Sequence, residues 1–247
     1  MAITAQLAPQ ALLSGIDSTA SWTSMEFGVD VATRDSTTFG TVPFATAVPS
    51  IRSLVCNLDG FQDFAAGALD EWLRANVGGT VVATLAPLSG AVGTVAAISR
   101  GVLGGYRPIN AAVGDIPAVQ VVVNPGGTPV AEGLVVQAST TPVTVTASTV
   151  GQQIGAISAA QNVFAAIHVL SVAGTASPSI SAQIQSGPTL GGAYVNRGAA
   201  GAALTAVGGQ WLSTALAAPV TDTFWRVTWT ITGTTPSFAV VASLAIA

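Results

Sequence analysis

Lysine is absent from the 247 residues, and the seven basic side chains are arginines scattered singly along the chain. Charged residues make up 7% of the sequence, against roughly 25% in ordinary soluble domains. A surface so poor in charge does little to hold copies apart, and low net charge favours association. Self-association is therefore expected, the alternative being a secreted or halotolerant monomer coated in Ser, Thr and Asn. A net charge of −4 with no basic run argues against nucleic-acid binding through phosphate neutralisation, which needs clustered Lys and Arg. A single cysteine, Cys56, excludes an intrachain disulfide. In the run Leu54-Val55-Cys56 it reads as a small buried hydrophobe on a strand.

Long unbroken apolar runs are missing as well. Mean hydropathy is +0.62, and residues 75–99 carry no charge, yet Pro87, Ser89, Gly78, Gly79, Gly90 and Gly93 interrupt them. A spanning helix of about 20 apolar residues is not expected there, and the aromatic girdles of a membrane barrel are thin. The start, Met1-Ala2-Ile3-Thr4-Ala5-Gln6, lacks the basic segment and apolar run of a secretion signal.

What is present is a succession of short apolar or alternating runs separated by Gly, Pro, Ser and Thr, the pattern of an all-β sandwich or barrel. In Trp225-Arg226-Val227-Thr228-Trp229-Thr230-Ile231 the apolar residues fall on one face. Gly233-Thr234-Thr235-Pro236-Ser237 reads as a turn, and residues 238–244 as the hairpin partner. Residues 180–185 alternate in the same way. Residues 119–123 and 163–170 carry apolar side chains on both faces and read as central strands covered on both sides. One helix is expected over 64–76, with Asp63 as N-cap and Gly78 just past its end. Ala65, Leu69, Trp72 and Leu73 line its apolar stripe, and Asp70, Glu71 and Arg74 point away. Residues 199–206, small and Gly-rich, read as a loop or loosely held edge.

Charge is uneven: ten of the eleven carboxylates precede Gly133, and from Gly133 to Asn196 the only titratable side chain with a basic group is His168. With the Ser-Thr-Thr-Pro stretch at 139–142, this divides the chain into units 1–140 and 141–247.

Residues with catalytic chemistry do not assemble into a pattern. His168 lies in an apolar run and reads as a buried core or interface histidine; no Gly-x-Ser-x-Gly elbow accompanies it. One His and one Cys far apart have no metal-site spacing. Asp70-Glu71 reads as solvated, and Asp59 with Asp63 as a turn and a cap. The glycines of Gly101-Val102-Leu103-Gly104-Gly105 do not form a phosphate loop, which would need a lysine. Trp225, Trp229 and Phe224 read as core or subunit contacts rather than a base-stacking platform. Arg52, Arg100 and Arg107 are isolated and suited to pairing with carboxylates of the same or a neighbouring subunit. No enzyme activity, cofactor or metal is expected.

Two stretches carry a resemblance. Val29-Asp30-Val31-Ala32-Thr33, Asp35-Ser36-Thr37-Thr38-Phe39-Gly40, Val48-Pro49-Ser50-Ile51-Arg52-Ser53-Leu54, Asn57-Leu58-Asp59-Gly60 and the following helix resemble the tube domain of major tail tube proteins of long-tailed (siphovirus-type) bacteriophages. Gly114-Asp115-Ile116-Pro117 and the strand after it are similar to a later strand of that barrel. Residues 172–180, Trp211, 221–229 and 232–238 look like β-sandwich modules of phage virion proteins. The resemblance implies an all-β chain: a β-sandwich or barrel tube domain with one packed helix near 64–76, then a second, C-terminal β-sandwich.

It further implies a structural virion protein forming rings, as hexamers, that stack into a tail tube and join other tail proteins. DNA would pass through the lumen without specific binding. The protein would be made in the host cytoplasm and end in the virion. The subunit interface is placed at Phe39, Phe44, Arg52, Arg100 and Arg107, and the acidic lumen at Asp30, Asp35 and Asp115, where carboxylates would repel phosphate. Stacking loops are expected at 35–48 and 89–108. The alternatives are a head-decoration or collar protein and a carbohydrate-binding β-sandwich module.

Overall fold

Runs of Val, Ile, Ala and Thr punctuated by turn formers become strands in the computed structural model. It describes residues 9–35, 47–61, 64–65, 69–107, 116, 118–125, 131–216 and 219–247, with the side chains of 29–35, 47–55 and 125 set aside. In order they are β1 (Gln10–Leu13), β2 (Ile16–Asp17), β3 (Trp22–Asp35), β4 (Ala47–Phe61), α1 (Leu69–Asn76), β5 (Thr80–Ala86), β6 (Val95–Arg107), β7 (Ala118–Pro125), β8 (Ala131–Gln137), β9 (Ala147–Ser148), β10 (Gln152–Gln153), β11 (Asn162–Gly187), β12 (Val195–Arg197), β13 (Gly208–Ala215) and β14 (Phe224–Ile246). The fold is all-β with one α-helix among the described residues. The main path of strand pairing runs β12-β11-β14-β8-β6-β5-β1-β2, with β7 joining β6 to β4, and β4 to β3.

The C-terminal core is built by two very long strands. β11 and β14 pair antiparallel from Val163↔Ile246 to Gly187↔Phe224. The expected hairpin between 225–231 and 238–244 does not form: both segments lie on one strand, and each pairs with a different half of β11. Gly233 (φ +109°) and Thr235 (φ +48°) do break the strand as their turn chemistry predicts. Opposite them β11 carries its own break, at Gly174 (φ +124°), Ala176 and Ser177, and the register shifts there. Two strands that break side by side bend together instead of reversing. The two halves of each strand thereby face a common core. Val163, Ala165, Ile167 and Val169 from one half and Ile180, Ala182 and Ile184 from the other bury into one core with Trp225, Val227 and Trp229.

The N-terminal core joins Ala11 and Leu13 of β1, Cys56 and Leu58 of β4, Val81 and Ala83 of β5, Leu103 of β6 and Val119, Val121 and Val123 of β7. Leu69 and Leu73 of α1 close it. Two smaller clusters, one around Phe164, Ile98 and Val82 and one around Leu12, Ala96 and Val241, draw on residues from both ends of the chain.

Four expectations change. The helix is shorter than 64–76: Phe64 and Ala65 are outside it and exposed, while Asp63 and Gly67 lie outside the described residues. Gly78 takes the left-handed conformation (φ +80°) that ends the helix. Asp70 does not point to solvent but is buried, held by Arg74 and the hydroxyl of Tyr106, because β6 brings Tyr106 across the helix face. Gln120 is exposed and Val122 half-buried, so β7 is covered on one face only. Residues 95–107 of the expected second stacking loop form β6, a strand paired to β5, β7 and β8. Gly101 serves close packing, since a Cβ there would collide with the Asn124 carbonyl oxygen.

Candidate assembly surfaces

The single histidine is wholly enclosed. His168 sits on β11 between Gly209 of β13 and Val241 of β14, with no exposed surface. The Gly15 N–H donates to its Nδ1 at 3.3 Å, and its Nε2 lies 2.9 Å from Thr84 Oγ1. With Nδ1 accepting, the proton belongs on Nε2, which donates to Thr84. Burial pushes the imidazole down to about 3, against a smaller upward pull from Asp17. It is thus a neutral tie between the β1–β2 hairpin, β5 and the C-terminal core, and neither it nor Thr84 reaches solvent. Cys56 is equally enclosed on β4, and burial pushes its thiol up to about 12. Among the described residues no three His, Cys, Asp or Glu side chains group as a metal site would require.

The few charges are mostly paired within the chain. Glu26 accepts from Asn57, Asp59 from Gln120, and Asp70 from Arg74. All three charged residues of 141–247 meet at one end of the C-terminal core: Arg197 donates to Asp222 at 2.9 Å, Ser186 donates to the same oxygen, and Arg226 stacks on Tyr194 while donating to Gln185. Arg197 lies 25 residues from Asp222 in sequence, and the pairing of β12 and β14 with the end of β11 brings it to Asp222 and Arg226. Nothing in local sequence signalled that cluster.

The residues assigned to the interface and lumen fall into three groups. Arg100 and Arg107 lie exposed on β6, Arg107 at its last position. Asp30, Asp35 and Arg52 lie on paired backbone, with Asp30 opposite Ser53, Asp35 opposite Ala47 and Arg52 opposite Val31. Phe39, Phe44 and Asp115 lie outside the described residues, as does most of the first stacking loop.

β3 and β4 make the most open feature of the fold. β7 pairs with β4 only from Asn57 to Phe61, so the ladder from Gly28↔Val55 to Asp35↔Ala47 has no third strand among the described residues. Among the described residues, the ribbon therefore extends past the sheet with both edges unpaired. Each edge presents a row of N–H and C=O groups able to template another strand. At its base lies a cleft of about 250 Å³ lined by Met25, Phe27, Leu85, Pro87 and Val95, with Glu132 on its wall. Leu88, Val92 and Val95 stand exposed beside it.

No protein-family model matches this chain, and no curated protein does. Among solved structures it is similar to one described as "Crystal Structure of SPP1 Dit (gp 19.1) Protein, a Paradigm of Hub Adsorption Apparatus in Gram-positive Infecting Phages", at 12% identity over 97% of this chain and 99% of that one, with a TM-score of 0.36. A likeness that loose bears no weight for function.

Proposed function

We propose that this chain is a structural protein of a phage virion, without catalytic activity, that assembles with copies of itself into stacked rings forming a tail tube. The observation that carries the reading is the β3–β4 ribbon, two long strands whose outer stretch pairs with no third strand among the described residues, on a chain with almost no charge to oppose association. Ribbons of neighbouring copies, pairing edge to edge, would close a barrel with no edge left. Of the stretches that resemble tail tube proteins, 29–35 and 48–54 fall on this ribbon and 69–76 on the helix after it. On this reading residues 1–140 build the ring and residues 141–247 form a second sandwich. Asp30 and Asp35, on the ribbon, would line the lumen and keep DNA from adhering. Other tail proteins would cap the tube.

Negative-stain electron microscopy of the purified chain tests the proposal. Tubes or stacked rings are expected. Closed caps would favour head decoration, and monodisperse single subunits would end the self-assembly reading.

A further inference from the structure

Every described charged side chain has a partner within the chain except two, Glu132 and Arg107. They have opposite sign and both are exposed. They stand at opposite ends of one strand: Glu132 on β8 pairs beside Ala97 near the start of β6, while Arg107 is its last residue. Ten residues of strand separate those positions, about 30 Å, far beyond the reach of an intrachain pair.

We infer that Glu132 of one copy receives Arg107 of the next, a head-to-tail contact that deepens the self-assembly reading and rests on it. Charge complementarity identifies the occupant of the cleft as a second copy of this chain. Glu132 sits on the wall of a cleft otherwise formed by Met25, Phe27, Leu85 and Val95, apolar surface on which the aliphatic stem of an arginine packs while its guanidinium meets the carboxylate. Partial removal from water strengthens such a pair. Arg107 lies exposed beside Gly104, Gly105, Gln120 and Asn124, none of which is an acid that could pair with it. The cleft also adjoins β3, the outer strand of the ribbon, so this contact and strand pairing lie on one continuous surface. Because the two halves of the contact are unlike, repetition closes a ring or extends a filament instead of stopping at a dimer.

The test is charge reversal in the full-length chain, with assembly followed by sedimentation velocity and electron microscopy. Glu132→Arg and Arg107→Glu each place like charges together, and each is expected to raise the concentration needed for assembly by about tenfold. The double variant Glu132→Arg/Arg107→Glu restores the pair with its polarity exchanged and is expected to assemble like the wild type. High salt should narrow the gap between wild type and single variants. Unchanged thermal unfolding in Glu132→Gln and Arg107→Gln checks that neither position acts through the fold. If the wild type assembles and the single reversals do so equally well, or if the double variant fails to recover, the pairing is wrong while the proposed function stands. A wild type that never assembles removes both.

Discussion

Acid should loosen this protein through one residue. His168 is fully buried and held neutral at about 3, against an ordinary value of 6.5. The unfolded chain binds a proton on this imidazole as pH falls below 6.5, and the folded chain resists until about 3. The unfolded state thus holds more protons across that window, so stability is complete above it and declines as pH drops through it. Each pH unit within the window is worth at most about 1.4 kcal/mol. From pH 7 to pH 4 the loss traceable to His168 comes to about 3 kcal/mol, a large share of the stability of an ordinary domain. Urea unfolding of wild type and His168→Gln at a series of pH values isolates it, since carboxylate protonation is common to both. Glutamine has a donor for Thr84 and an acceptor for the Gly15 N–H but does not titrate. The wild type is expected to be the more stable at neutral pH, and its advantage to shrink by about 3 kcal/mol on reaching pH 4. Parallel stability curves for the two proteins, or an imidazole that titrates near its ordinary value in the folded state, would refute the reasoning.

Two further outcomes follow from close packing and burial. Gly133→Ala should lower stability by about 1–3 kcal/mol in thermal unfolding, because the new Cβ would lie 1.8 Å from the Leu244 carbonyl oxygen and force β8 away from β14. Cys56, with its thiol pushed up to about 12 in the folded core, should stay unmodified by a thiol reagent at mildly alkaline pH and react fully in denaturant.

Local patterning carried much of the architecture, and long-range pairing decided the rest. The alternation of Trp225, Val227 and Trp229 marked a half-buried strand, and those three side chains are buried. The run at 163–170, apolar but for His168, marked a strand covered on both faces, and 163–169 are buried with Leu170 half-buried. Gly233 adopts left-handed backbone freely and marked a break in the strand, whereas the left-handed conformation of Thr235, and the choice of bend over reversal, go with the matching break at Gly174 on a strand some sixty residues earlier. Asp70 occupies a helix position that periodicity assigns to solvent, and only the arrival of Tyr106 along β6 makes it an interior acceptor. His168 was recognisable as enclosed from its apolar neighbours, whereas Gly15 and Thr84, its hydrogen-bond partners, come from segments far away in sequence. The candidate site was legible in the same partial way. Sequence singled out Arg107 as an isolated cation, but that Glu132 is the acid left unmatched emerges only once every other described charge has found its partner.

The central claim is that the open ribbon and nearly uncharged surface find their partners in identical chains. Sedimentation velocity of the purified full-length chain, from micromolar to millimolar concentration, bears on it most directly. Growth into large, uniform particles with rising concentration is predicted, and a single monomeric boundary across the whole range would contradict it.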